Sequence, residues 1–116
     1  MIKETEEQPM NYYDVKSLKA KKPAAGVEMR VISGERMMMV FFAMEAGAEV
    51  PAHAHPHEQM GTVIEGSVEL TIGQETRKVG KGEAYLIPSG VTHRAKCLED
   101  GTEVLDLFSP PREEYR

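Results

Sequence analysis

Turn residues break this chain at short, nearly even intervals: Ser33-Gly34, Glu45-Ala46-Gly47, Glu65-Gly66, Gly73-Gln74, Gly80-Lys81-Gly82, Ser89-Gly90 and Asp100-Gly101. Between the breaks lie runs of strand length. Val68, Leu70 and Ile72 alternate with Glu69 and Thr71, and Val27, Met29 and Val31 alternate with Glu28 and Arg30. That is the two-residue period of a strand with one buried face. Ala84 to Ile87, Thr92 to Cys97 and Thr102 to Phe108 read as further strands. No segment sustains a helical period, and the best helix candidate, Asp14 to Ala20, is too short to carry a fold. Many short strands between turn signals specify an all-β sandwich or barrel.

One domain accounts for all 116 residues, with a core over about 27–108 and arms at 1–12 and at Ser109 to Arg116. A chain of this size buries roughly two-thirds of its unfolded surface, so it needs no disulfide. The single Cys97 cannot form an internal one; it reads as a small buried apolar residue, and a reducing cytoplasm is the expected compartment. The polar, acidic start, Met1 to Gln8, does not suit a signal peptide. The longest apolar run, Met37 to Met44, is far short of the ~20 residues of a membrane-spanning helix. With 14 basic against 19 acidic residues, a net charge of −5 and no basic cluster, nucleic acid is not an expected partner. Met37 to Met44 is apolar at every position rather than alternating. One face can pack inside a sheet, and the other needs cover from a second layer or a second subunit. We expect a homodimer with this segment at or near the contact.

Three of the four histidines stand together as His53-Ala54-His55-Pro56-His57. On an extended strand, residues two apart share a face, so His53 and His55 can aim two imidazoles at one transition-metal ion. An exposed, His-rich loop would have the same spacing. Pro56 redirects the chain, so His57 is not expected to be a ligand.

The frame around the cluster is wider. Gly47, five residues, His53-x-His55, three residues, Gln59, six residues and Gly66 form one half of a pattern; Gly82, five residues, Pro88-x-Gly90, two residues and His93 form the other. These stretches resemble the paired motifs of the cupin superfamily, which implies a single-domain jelly-roll β-barrel. Two positions depart from the usual motifs: Gln59 stands where an acid is common, and Cys97 where an Asn often follows the second motif's His. The resemblance makes His53, His55, Gln59 and His93 the ligands of one divalent metal ion, with the first three on one hairpin and His93 on another. Imidazole nitrogens and an amide oxygen do not separate Zn, Ni, Fe and Mn. A shell of three histidines and one glutamine adds no negative charge, which favours an anionic substrate.

Past these motifs, Asp106 and Phe108 lie two apart on an expected strand, and Arg112 follows the Pro110-Pro111 elbow. Asp106 can face either the barrel interior or solvent, and Arg112 can be either a carboxylate clamp or a solvated charge. His-Ala-His-Pro-His-Glu-Gln at 53–59, together with Asp-Leu-Phe-Ser-Pro-Pro-Arg-Glu at 106–113, is similar to the small cupins of pectin and alginate catabolism. That resemblance implies a lyase- or isomerase-type enzyme that opens and ketonises 4,5-unsaturated monouronates. It makes Asp106 the proton-transfer residue, Phe108 a pocket wall and Arg112 the carboxylate anchor, with a small sugar acid as partner. Two other functions are open to a cupin: a metal-dependent dioxygenase, and a non-catalytic metal- or sugar-binding module.

Overall fold

The computed structural model describes residues 11–116, so most of the expected amino-terminal arm lies outside the described residues. Within them are ten strands: β1 (Lys21–Ala24), β2 (Val27–Ser33), β3 (Met38–Met44), β4 (Glu49–His53), β5 (Glu58–Glu65), β6 (Ser67–Ile72), β7 (Glu75–Gly80), β8 (Ala84–Ile87), β9 (His93–Cys97) and β10 (Thr102–Ser109). They form two antiparallel sheets, one of six strands in the order β1-β2-β3-β10-β5-β8 and one of four in the order β4-β9-β6-β7. The all-β fold expected from the turn spacing, and the jelly roll that the cupin resemblance implies, are the fold observed. No helix among the described residues is long and apolar enough to cross a membrane.

The two sheets pack face to face through their inward positions. Val27, Met44, Val63 and Val104 of the larger sheet share one cluster with Val68, Leu70, Val79 and Cys97 of the smaller. A second cluster, Met29, Met38, Val40 and Phe108, fills the other end of the larger sheet. β3 runs between β2 and β10, and its apolar residues divide between the two faces of the sheet. Met38, Val40 and Met44 are buried, while Met39 and Phe41 turn to the outer face. There Ile32, Met39, Leu107, Met60 and Leu86 stand in register across five adjacent strands, an apolar row on the outside of the larger sheet.

The chain switches sheets between β5 and β6, at Gly66. Its φ is +81°, and a Cβ there would lie 2.2 Å from Thr102 Oγ1 and 2.9 Å from Thr102 Cα. Only a residue without a side chain lets the two segments approach so closely. Thr102 Oγ1 accepts from Ser67 N–H at 3.3 Å and donates to Glu99 O at 2.7 Å, tying the switch down.

The best helix candidate, Asp14 to Ala20, forms only a single 3-10 turn, Val15–Ser17, because a segment this short cannot close enough hydrogen bonds to offset nucleation. One expectation needs correction. The carboxy-terminal residues are not a free arm. Pro111 and Arg112 are buried, and the Tyr115 ring packs edge-on against Phe108 and Phe42. Lys21 Nζ donates to Tyr115 O at 2.7 Å, and Arg116 Nη2 to Gly34 O at 2.9 Å. Two aromatic contacts and these bonds hold the tail over the end of the larger sheet.

Candidate metal centre and its pocket

The three histidines converge, by a route that differs from the expected hairpin. β4 and β5 belong to different sheets, so the link between them crosses from one to the other. His53 ends β4, and its ladder partner is His93, the first residue of β9; cross-strand partners share a face, and the rings are 4.2 Å apart. The strand stops at His53, ahead of Pro56. His55 therefore sits in the crossing loop, which Gly90 N–H anchors by donating to His55 O at 2.9 Å. Its ring lies 5.4 Å from that of His53 and 4.9 Å from that of His93. One nitrogen from each of the three rings falls within 4.8 Å of the others. Gln59, near the start of β5, brings Oε1 to 3.1 Å from His55 Nε2. His57 is not in the cluster.

Backbone carbonyls set the ring tautomers. His53 Nδ1 lies 3.0 Å from Pro51 O, His55 Nδ1 3.1 Å from His57 O, and His93 Nδ1 2.9 Å from Val91 O. A carbonyl only accepts, so in a neutral ring each Nδ1 carries the hydrogen and each Nε2 keeps a lone pair. Burial holds the His93 pKa below its usual value, and burial together with the Arg112 charge does the same for His55. Gln59 Nε2 donates to Asp106 Oδ2 at 3.0 Å, which turns the amide oxygen toward the histidines. His93 Nε2 is buried without a partner, and His55 Nε2 and Gln59 Oε1 present lone pairs to each other. Acceptors left facing one another in a buried site call for a cation. Three imidazole nitrogens and an amide oxygen fit a divalent first-row ion. When bound, such an ion acts as a Lewis acid on oxygen ligands.

The residues singled out on β10 line the same cavity, of about 200 Å³. Asp106 faces inward, not to solvent: it is 6% exposed. Its Oδ1 accepts from Tyr85 Oη–H at 2.5 Å and its Oδ2 from Gln59. Burial raises its pKa from 3.8 to about 7, against the opposite pull of those two hydrogen bonds. Phe108, two residues on, sets its ring edge-on to His55 at 5.8 Å. Arg112 is also 6% exposed. Its guanidinium stacks 4.3 Å over the Tyr115 ring, with Nη1 donating to Tyr115 Oη at 3.0 Å and Nη2 to the exposed Glu114. Its Nε is buried with no partner.

Sequence reasoning did not pick out Tyr85, Gly61, Glu114 and Tyr115. Tyr85 shares the period-two face of Ile87, and only the register of β8 on β5, with Ile87 opposite Gln59 and Tyr85 opposite Gly61, brings that face to the site.

A family model described as a cupin domain matches residues 40–108. The chain belongs to the cupin family. Among cupins it is 33% identical over 92 residues to the pectin degradation protein KdgF of Dickeya dadantii, an alignment covering 78% of this chain and 84% of that one. The structure of KdgF from Halomonas sp. superposes with a TM-score of 0.87 at 27% identity, covering 92% of this cupin and 99% of that chain. The oxalate decarboxylase OxdC of Bacillus subtilis is 32% identical over 79 residues, which is 64% of this chain but 20% of the larger enzyme. Two of the relatives of matching length, one found by sequence and one by structure, carry the name KdgF.

Proposed function

We propose that this cupin opens the ring of 4,5-unsaturated monouronates and converts them to the linear keto form. The observation that carries the reading is Arg112, a buried guanidinium with an unpartnered Nε in the same cavity as Asp106 and two histidines of the cluster, His53 and His93. A buried cation with spare donors suits a carboxylate, which it can hold at two points. Similarity to two KdgF proteins supports a sugar acid as the source of that carboxylate.

The reaction needs no redox partner. The hemiacetal hydroxyl loses its proton, the bond from the anomeric carbon to the ring oxygen breaks, and a carbon of the former double bond gains a proton. Arg112 binds and orients the carboxylate, and Phe108 closes one side of the pocket. Asp106, with a pKa near the working pH, takes the hydroxyl proton and delivers it to carbon, a task worth roughly 10²–10⁴ in rate. His53, His55, His93 and Gln59 would hold the ion that polarises the sugar oxygens. The test is to incubate metal-loaded protein with unsaturated galacturonate and follow loss of the enol-acid absorbance near ~230 nm; the rate must exceed spontaneous opening. A rate equal to the protein-free control refutes the reading.

We also propose a cytoplasmic homodimer joined through the outer row Ile32, Met39, Leu107, Met60 and Leu86. Met60 is 52% and Leu86 49% exposed. Contiguous apolar rows of this kind are uncommon on monomers, and a second copy offers the same uncharged stripe in a two-fold arrangement.

A further inference from the structure

Asp106 and Tyr85 belong to strands that do not pair with each other. β5 runs between β10 and β8, and the registers place Gly61 opposite Asp106 on one side and opposite Tyr85 on the other. The two side chains meet over the glycine, where Tyr85 Oη–H donates to Asp106 Oδ1 at 2.5 Å. A Cβ at position 61 would lie 2.0 Å from Asp106 Oδ1 and 2.5 Å from Tyr85 Cζ and Oη. The contact therefore exists only because residue 61 has no side chain.

We propose that Tyr85 is a positioning residue for the site. By meeting Asp106 across Gly61 it fixes the carboxyl group, and through that group it sets which face of the Gln59 amide is turned to the histidines. A carboxyl rotates freely about its last torsion unless both oxygens are held. Tyr85 holds Oδ1, and Oδ2 holds Gln59 Nε2, leaving Gln59 Oε1 toward His55. Without the hydroxyl the carboxyl can turn, and Gln59 loses its reason to present oxygen rather than an amide hydrogen to a cation. The Tyr85 ring itself packs against the main core, so Tyr85→Phe keeps that packing and removes only the oxygen.

Cobalt(II) alone is the probe for the donor set, because its visible spectrum reports ligand identity and geometry. Tyr85→Phe is expected to alter the spectrum of the cobalt-loaded protein and to weaken cobalt binding severalfold. Gly61→Ala should push the spectrum in the same direction while leaving every polar residue of the site in place. The turnover arm rests on the uronate reading: kcat of Tyr85→Phe should fall about tenfold or more while KM changes little, the split expected when a proton-moving group is displaced and substrate binding is not. A wild-type cobalt spectrum in Tyr85→Phe overturns the proposal, and so does a wild-type kcat on a substrate that the unaltered protein turns over. If the unaltered protein turns over no uronate, the functional reading falls, and the cobalt comparison alone decides the role of Tyr85.

Discussion

Arg112 is fixed from below by Tyr115 and from the side by Glu114, while its Nε stays free. Arg112→Ala should therefore raise KM for an unsaturated uronate tenfold or more, the effect of losing a charge-assisted pair of ~1.5–3 kcal/mol. Arg112→Lys should not restore it, since an ammonium lacks the planar fork. Steady-state kinetics checks both; unchanged KM values would remove Arg112 from substrate binding. Asp106→Asn should lower kcat by about two decades or more with metal content unchanged, because an amide oxygen still accepts from Gln59. Asp106 also has a consequence for stability. Its pKa is raised from 3.8 to about 7 by burial, so between those values the folded chain keeps a proton that the unfolded chain has released. Stability from this group is full below about pH 4 and is lost as the pH rises through about 7. In metal-stripped protein, Asp106→Asn should gain melting temperature relative to the parent from about pH 5 to about pH 8. His55 and His93 act oppositely, but they are present in both proteins and cancel. A constant difference would mean that Asp106 is ionised throughout. At this scale, spacing made the His53 and His55 pair legible, and the resemblance to cupins supplied Gln59, His93, Asp106, Phe108 and Arg112. The inward face of Asp106 was not legible, since two leucines flank it and either face was open. The Tyr85 partner was not, because it depends on a register across β5.

Among the elements, the strands that alternate, β2 and β6, could be read directly, because one face of each is core. β7 could not: Glu75 to Lys78 is exposed at every position, and at the edge of the smaller sheet neither face demands apolar residues. β4, at the opposite edge of that sheet, has no fully buried position either. The β4–β5 link escaped the sequence because spacing along a chain does not say whether two strands pair or part. It is the parting that puts His53 beside His93 and leaves His55 and Gln59 to approach from the crossing loop and the opposite sheet. The other crossing, at Gly66, gives a test of that architecture. Gly66→Ala combines a positive φ with a clash against Thr102 backbone and should destabilise by ~1–3 kcal/mol. An unchanged urea midpoint would show that Thr102 gives way freely.

For the molecule as a whole, the donors of the candidate metal centre come from both sheets: His53 and His93 from the smaller, Gln59 from the larger. An ion held there links the sheets, so chelation should lower the melting temperature, and adding back Zn or Ni should raise it with the logarithm of free ion. A melting temperature indifferent to metal would mean that the four residues do not bind it together. Light scattering should find a dimer at micromolar concentration, and Met60→Lys together with Met39→Glu should convert it to a monomer that still binds metal. A monomeric parent protein removes the dimer and leaves the site untouched. The strand order has one more consequence. β10 is the last strand in the sequence, yet it lies in the middle of the larger sheet, between β3 and β5. While the ribosome is still making it, the Met- and Phe-rich edge of β3 has nothing to pair with, so the sheet cannot close strand by strand as the chain emerges. A nascent chain halted before Thr102 should expose that edge and depend on holding by chaperones, whereas one extended past Ser109 should not.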